Sequence, residues 1–193
     1  MQPLRRFPPE QFINRELSLL AFNRRVLAQA ADGRVPLLER LRFLCIVSSN
    51  LDEFFEIRVA GLKEQLKLGS HAAGADGMSP LDVFRRVTEQ AHQLIAEQYA
   101  LLNGVILPEL EKEGIAFFRR SLWSEKQRTW IREYFLSEVM PVLTPIGLDP
   151  SHPFPRVLNK SLNFAVELEG TDAFGRSSGA AIVQAPRALP RVI

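Results

Sequence analysis

Residues Pro36 to Lys67, PLLERLRFLCIVSSNLDEFFEIRVAGLKEQLK, decide how the first half of the chain folds. Leu37, Leu41, Leu44 and Val47 recur at steps of three and four, one face of a helix. Leu51, Phe54, Phe55, Val59, Leu62 and Leu66 do the same further on, while Asp52, Glu53, Glu56 and Lys63 hold the wet side. Between the two runs stand Ser48, Ser49 and Asn50. Asn50 with Glu53 three residues later has the form of a helix start, both side chains reaching unpaired backbone N–H groups. The expectation is two apolar helices parted by a polar notch with free backbone donors. That notch is the ligand candidate of the first half.

On the N-terminal side, a helix is expected from between Asn14 and Ser18 to about Ala31, burying Leu17, Leu20, Val26, Leu27 and Ala30. Asp32 and Gly33 end it. Asn23, Arg24 and Arg25 fall on its other side, and a solvated face is the simplest account of the arginine pair. The residues before it carry three prolines and no period, which suits an extended arm. On the C-terminal side, Gly69–Ser79 reads as a flexible connection. Ser79, Pro80 and Asp82 then signal a helix start. Phe84, Val87, Ala91, Leu94, Ile95, Leu101, Leu102 and Val105 sustain its period, Gly104 and Pro108 should kink or interrupt it, and Gly114 should close its last turn.

From Gly114 the pattern changes. Ile115–Phe118 is a short β-like run, and Ser124 with Gln127 caps a helix bearing Trp130, Ile131, Tyr134, Phe135 and Val139. Pro141 and Pro145 end that helix, and Leu148–Ser161 is a proline-punctuated loop. Leu162, Phe164, Val166 and Leu168 alternate as a half-buried strand, residues 170–179 form a turn, and Ala181–Val183 returns. The fold expected is α plus α/β: a helical domain of three main antiparallel helices over residues 1–114, then the beginning of a mixed α/β domain over 115–193. Two or three strands are marginal alone, so the chain reads as the front part of something longer.

Hydrophobic residues make up 46% and charged residues 24% of the 193, a globular balance. The one cysteine, Cys45, falls on the apolar side of its run, and a lone buried thiol fits a reducing compartment. No apolar run reaches the roughly 18 residues of a membrane span, and no secretion signal opens the chain. A cytoplasmic protein with at most peripheral membrane association is expected. The net charge of +2 is too small to argue for nucleic acid. Residues 115–193 carry 10 basic and 7 acidic side chains against 14 and 15 in residues 1–114. A polyanion would therefore favour the second half, through Arg119, Arg120, Arg128 and Arg132.

The chain contains no P-loop, GxSxG, HExxH or CxxC pattern. Asp52, Glu53 and Glu56 share a helical face and could suggest a metal or an acid–base pair. Compensation of a helix-start dipole and solvation explain them more simply. His71 lies in the connection, His92 has no acid or thiol at ligand spacing, and His152 sits between prolines as a local hydrogen-bonding group. No complete catalytic set emerges.

Three blocks, NRELSLLAFNRRVL, ERLRFLCIVSSNLDEFFEIRVAGLKEQ and VLTPIGLDPSHPFPRVLNKSLNFAVEL, resemble in order the N-terminal part of the large bacterial polyphosphate kinases. The likeness runs from about Phe12 to the end, and SSNLDEFF with DPSHPFP is its most specific part. Leu19 stands where that family usually has tryptophan, and Glu56 where it is often apolar; neither is expected to touch the site. The resemblance implies a helical N-terminal domain, an α/β head and two phospholipase-D-like catalytic domains, of which the first and the opening of the second would be present. It implies that Asn50 contacts ATP, on the adenine side. The phosphorylated histidine, the phosphate-holding arginines and the Mg2+ ligands would lie in the later domains, and none of His71, His92 or His152 matches that histidine. Implied partners are ATP or ADP, polyphosphate and further copies of the chain, as a dimer or tetramer assembled through the head, with no nucleic acid. The alternative is a non-catalytic helical protein-interaction module with no nucleotide role.

Overall fold

Apolar residues spaced three and four apart can be buried together only on a helix, and three long helices carry them in the computed structural model. It describes residues 7–149, 151–158, 160–170, 179–190 and 192–193. Two units divide between Phe117 and Phe118. In the first, helix α1 (Arg15–Ala31) starts at Asn14, whose Oδ1 accepts the Leu17 N–H at 3.1 Å. Helix α2 (Leu37–Glu53) runs through a π-helical turn, Phe54–Val59, into α3 (Ala60–Lys67) without leaving helical geometry. Helix α4 (Pro80–Leu101), capped by Ser79, runs through a second π turn, Leu102–Ile106, into α5 (Leu107–Lys112).

The expected helix start at Asn50 is thus not there. The backbone is helical throughout, and the Asn50 carbonyl accepts the Phe54 N–H, so the notch holds no free backbone donors. The buried series Arg40, Leu44, Val47, Leu51, Phe54 keeps one phase across it. Interior serine or asparagine weakens a helix by only about 0.5 kcal/mol, less than the backbone bonds a break would forfeit.

Each π turn has a sequence cause. After Phe54 the next buried residue is Val59, five residues on instead of three or four, and a turn widened by one residue absorbs the step. At the second, Pro108 lacks an N–H and its ring would strike the carbonyl four residues back. The widened turn lies there and keeps Ile106 and Leu110 in the core. Gly114, at φ +82°, closes α5: its N–H reaches Glu111 O at 3.0 Å and that of Ile115 reaches Leu110 O at 2.9 Å.

Antiparallel packing follows from the contacts between helices. Asn23 meets Asn50 while Ala30 meets Arg40, so α1 and α2 run opposite ways. Gln98 meets Leu44 and Ser48 while Glu109 meets Arg40, so α2 and α4–α5 do too. Leu20, Leu27, Leu44, Val47, Val87, Ala91 and Leu94 fill the space between. Cys45 is exposed, not buried as expected: one residue past Leu44, it lies about 100° round from the core line. The connection Gly69–Ser79 is anchored at Asp76, which accepts from Asn14 Nδ2 at 2.6 Å.

At the end of α1 the Arg34 guanidinium donates to both carboxylate oxygens of Asp32, at 2.6 and 3.0 Å, and the Arg34 N–H adds a third bond. These bonds pull the Asp32 carboxyl from 3.8 to about 2. A depressed carboxyl stabilises the fold above its unfolded value and loses that contribution as pH falls from about 4 towards 2. Carbon-detected NMR titration should place its midpoint near 2, and Arg34→Ala should raise the midpoint towards 3.8.

In the second unit, α6 (Glu125–Tyr134) opens on the expected capping box: Ser124 Oγ accepts the Gln127 N–H and Gln127 Oε1 accepts the Ser124 N–H. Trp130 and Tyr134 stack at 5.5 Å on it, and a third π turn, Phe135–Val139, extends it. Strands β1 (Thr144–Gly147), β2 (Asn163–Glu167) and β3 (Ala180–Gln184) form an antiparallel sheet in the order β1-β3-β2, with Ala165 and Ile146 both opposite Ile182. Strand β1 was not expected, since Pro145 was assigned only to the end of the preceding helix; as an edge strand it tolerates proline. Ile115–Phe118, expected as β-like, forms no strand. Strand β2 is exposed rather than half-buried, being the other edge, while central β3 buries Ala181 and Ile182. Residues 171–178 of the expected turn and residues 1–6 of the arm lie outside the described residues.

Candidate functional site

The sequence pattern places Asn23 with Arg24 and Arg25 on the wet side of α1; the structure buries it at 3% exposure. The reason is spacing: Leu20, Asn23, Leu27 and Ala30 form one unbroken stripe. A polar side chain in such a stripe requires a partner. Asn50 supplies it, its Nδ2 donating to Asn23 Oδ1 at 2.8 Å. Beside this pair the buried Gln98 donates to Leu44 O at 3.0 Å and Ser48 Oγ at 2.6 Å. The serine and asparagine of the notch therefore belong to a polar seam across three helices, and the seam carries the ligand candidate.

A cavity of about 260 Å3 opens at the Asn23–Asn50 end, lined by Leu19, Phe22, Asn23, Asn50, Glu53, Phe54, Ile57 and Arg58. From α1 come residues at i, i+3 and i+4; from α2 and its π turn come i, i+3, i+4, i+7 and i+8, so each helix presents one face. The π turn is what brings Ile57 and Arg58 round beside Asn50 while Val59 stays in the core. Its walls are Leu19, Phe22, Phe54 and Ile57, with the amide pair at its base and the Glu53 carboxylate and the Arg58 guanidinium beside them. Arg58 is half-buried and makes no ion pair among the described residues. Asn23, Phe22 and Arg58 escaped the sequence reading, and Leu19, expected not to touch the site, lines it, one turn before Asn23 on α1. Only Asn23 left a signal there, its place in the 20–23–27–30 spacing.

Asp52, Glu53 and Glu56 are exposed on one helix that starts well before them, so there is no helix start at Asn50 whose dipole they could compensate. Among the described residues no three His, Cys, Asp or Glu side chains gather as a metal set. Arg24 pairs with Glu97 at 3.1 Å and Arg25 lies 5.7 Å over the Phe22 ring. His71 and His92 are exposed. In the second unit Ser151 donates its N–H and hydroxyl to Asp149 at 2.9 and 2.8 Å, which hold that carboxyl below the usual range. His152 lies 3.5 Å from the same carboxylate, an exposed loop contact beside a hollow lined by Ile146, Leu148 and Phe154. Arg119, Arg120, Arg128 and Arg132 are exposed, and Arg128 is engaged with Trp123 O at 3.2 Å. No helix among the described residues is long and apolar enough to cross a membrane.

An antiparallel three-helix unit with one amide-floored cavity, followed by a small antiparallel sheet, defines an α-plus-α/β protein. Two family profiles match it: the polyphosphate kinase N-terminal domain over residues 12–118 and the polyphosphate kinase middle domain over residues 126–193. The chain belongs to the polyphosphate kinase family. It is 65% identical over 187 residues to polyphosphate kinase of Neisseria meningitidis serogroup C, covering 96% of this chain and 27% of that protein. With polyphosphate kinase of Burkholderia multivorans it shares 63% over 181 residues, 94% of this chain and 26% of the relative. The crystal structure of polyphosphate kinase from Porphyromonas gingivalis superposes with a TM-score of 0.76 at 29% identity, over 98% of this chain and 27% of that one. The chain thus corresponds to about a quarter of the length of these relatives.

Proposed function

We propose that this chain is the nucleotide-facing part of an enzyme that transfers the terminal phosphoryl group of ATP to polyphosphate. The carrying observation is the Asn50 amide at a small cavity with four apolar walls, lined also by Glu53 and by one cation, Arg58, which makes no ion pair among the described residues. Its roughly 260 Å3 lies just below the about 300–1,000 Å3 of sites that enclose whole ligands, a size for a base rather than a complete nucleotide. Phe22, Phe54 and Ile57 would flank adenine, Asn50 would bond its edge, and Arg58 would face the phosphate end. In the complete enzyme a histidine outside this chain would attack the γ-phosphoryl, and cations including Mg2+ would neutralise the charge developing on its oxygens. The described residues gather no donor set for that ion, so the part played here is to bind and orient.

Residues 1–114 are then the helical domain and 115–193 the opening of the head, through which copies of the chain would associate. A lone exposed thiol such as Cys45 is compatible with the cytoplasm. Calorimetric titration with ATP tests the reading: saturable binding should weaken about tenfold or more in Asn50→Ala, the loss of a bidentate contact. No heat at millimolar ATP would instead favour an interaction module. The chain alone should make no polyphosphate from ATP; its formation would show that the phosphate-accepting histidine lies within these residues.

A further inference from the structure

We propose that Glu53 is a specificity-determining residue: its carboxylate accepts from the ribose hydroxyls, and the site thereby selects a nucleotide that carries them over one whose sugar lacks them. The inference rests on the nucleotide reading above and deepens it. An ionised carboxylate only accepts hydrogen bonds. Towards the phosphates of ATP it is repulsive, because like charges at short range disfavour each other. The hydroxyls of the sugar are donors, and a carboxylate on a ribose hydroxyl is how dinucleotide-binding sites hold their sugar. A carboxylate at a nucleotide seat is therefore a penalty unless a donor of the ligand meets it.

The place of Glu53 decides which donor that is. It lines the cavity and is exposed, whereas the Asn23–Asn50 pair forms the base of the cavity. About 260 Å3 takes up a base and leaves the sugar at the mouth, the level of Glu53. Along the helix the polar side chains of this face follow in the order amide, carboxylate, guanidinium. Glu53 stands about 4.5 Å beyond Asn50 on the axis, and Arg58 about 7 Å beyond Glu53. Base, sugar and phosphates follow one another in ATP in that same order. Glu53 and Arg58 do not neutralise each other: five residues part them rather than three or four, and no ion pair joins them. The Glu53 side chain has no hydrogen-bond or ionic partner among the described residues, so its oxygens are open to a donor.

The test is calorimetric titration of the 193-residue chain with ATP and with dideoxy-ATP, which lacks both ribose hydroxyls, in four forms: parent, Asn50→Ala, Glu53→Ala and Asp52→Asn. The parent should favour ATP by about fivefold or more. Glu53→Ala should bring the two nucleotides within about twofold of each other, chiefly by weakening ATP. Asp52→Asn removes a charge one residue away that does not line the cavity, and should leave the preference in place. Glu53 is exposed, so its alanine form should fold, and thermal melts accompany each variant. A parent that binds both nucleotides equally, while Asn50→Ala still costs affinity, overturns the ribose role and leaves the nucleotide reading standing. So does a preference that survives in Glu53→Ala, or a Glu53→Ala that weakens both equally, the sign of a contact to the base. If Glu53→Ala tightens both equally, the carboxylate only repels the phosphates and the role is wrong. A parent that binds neither nucleotide removes the reading and the inference together.

Discussion

Deleting Phe55 should leave the helical unit folded, melting within about 5 °C of the parent, while ATP binding is lost; deleting Cys45 should abolish cooperative folding. Both residues are exposed and both deletions shorten the same helix by one residue. They differ in what happens to the core line. A residue removed from regular α-helix rotates everything after it by about 100° relative to everything before. Without Cys45, Val47, Leu51, Phe54, Val59 and Leu62 no longer share a face with Arg40 and Leu44. Each buried side chain of this kind contributes about 1.5–3 kcal/mol, and losing several exceeds the 5–15 kcal/mol by which a domain is stable. Phe55 instead lies in the π turn, where the helix carries one residue too many: without it the five-residue step from Phe54 to Val59 becomes an ordinary step of four. Its edge contact with Phe54, at 5.9 Å, is a small loss. Ile57 and Arg58, now six and seven residues past Asn50, shift by a fraction of a turn against Asn50 and Phe22, and the shape of the seat for a base is lost. Circular-dichroism melts and calorimetry with ATP read both effects. A Phe55 deletion that unfolds like the Cys45 deletion would show that the widened turn is not a removable insertion.

How much of this could be read in the sequence depended on how local the cause was. The starts at Asn14, Ser79 and Ser124 were legible because a capping side chain acts on the next three residues. So was the Gly114 stop, fixed by one backbone angle. The polar notch at Asn50 was legible as an oddity, but its meaning was not. An asparagine can cap a helix or sit inside one at little intrinsic penalty, and the choice is made by Asn23, 27 residues away on another helix. Asn23 itself was misplaced because a polar residue beside two arginines looks solvated. Only the 20–23–27–30 spacing spoke against that. Strand β1 was hidden by Pro145, which a strand tolerates only at an edge, and edge position is a property of the finished sheet. The family resemblance supplied Asn50 as a candidate, yet Phe22, Arg58 and the cavity they line exist only once α1 lies against α2.

The same buried stripe makes a second strong prediction: Glu109→Ala should destabilise the helical unit by about 2–3 kcal/mol, and Arg40→Met by less than about 1.5. Arg40 occupies a core position, at 5% exposure, in line with Leu44, Val47 and Leu51. Its Nε donates to Ala30 O at 2.8 Å, one of the last carbonyls of α1 that the helix itself leaves without a partner. Its Nη1 donates to Glu109 at 2.5 Å, tying α2 to α5. Removing the carboxylate leaves a guanidinium in the core with no counter-charge, the costly way to break a buried pair, and about 3–5 kcal/mol when burial is complete. The Glu109 side chain is 37% exposed, so water relieves part of that penalty and the lower figure applies. Removing the arginine is different. Methionine fills the stripe with an apolar chain of similar length, Glu109 turns to solvent, and the main loss is the bond to the Ala30 carbonyl. The pair should therefore be strongly non-additive in urea denaturation: once Arg40→Met is present, adding Glu109→Ala should change stability by only a few tenths of a kcal/mol. Equal single effects that simply sum would mean that the ion pair contributes nothing and that each side chain acts through its own packing.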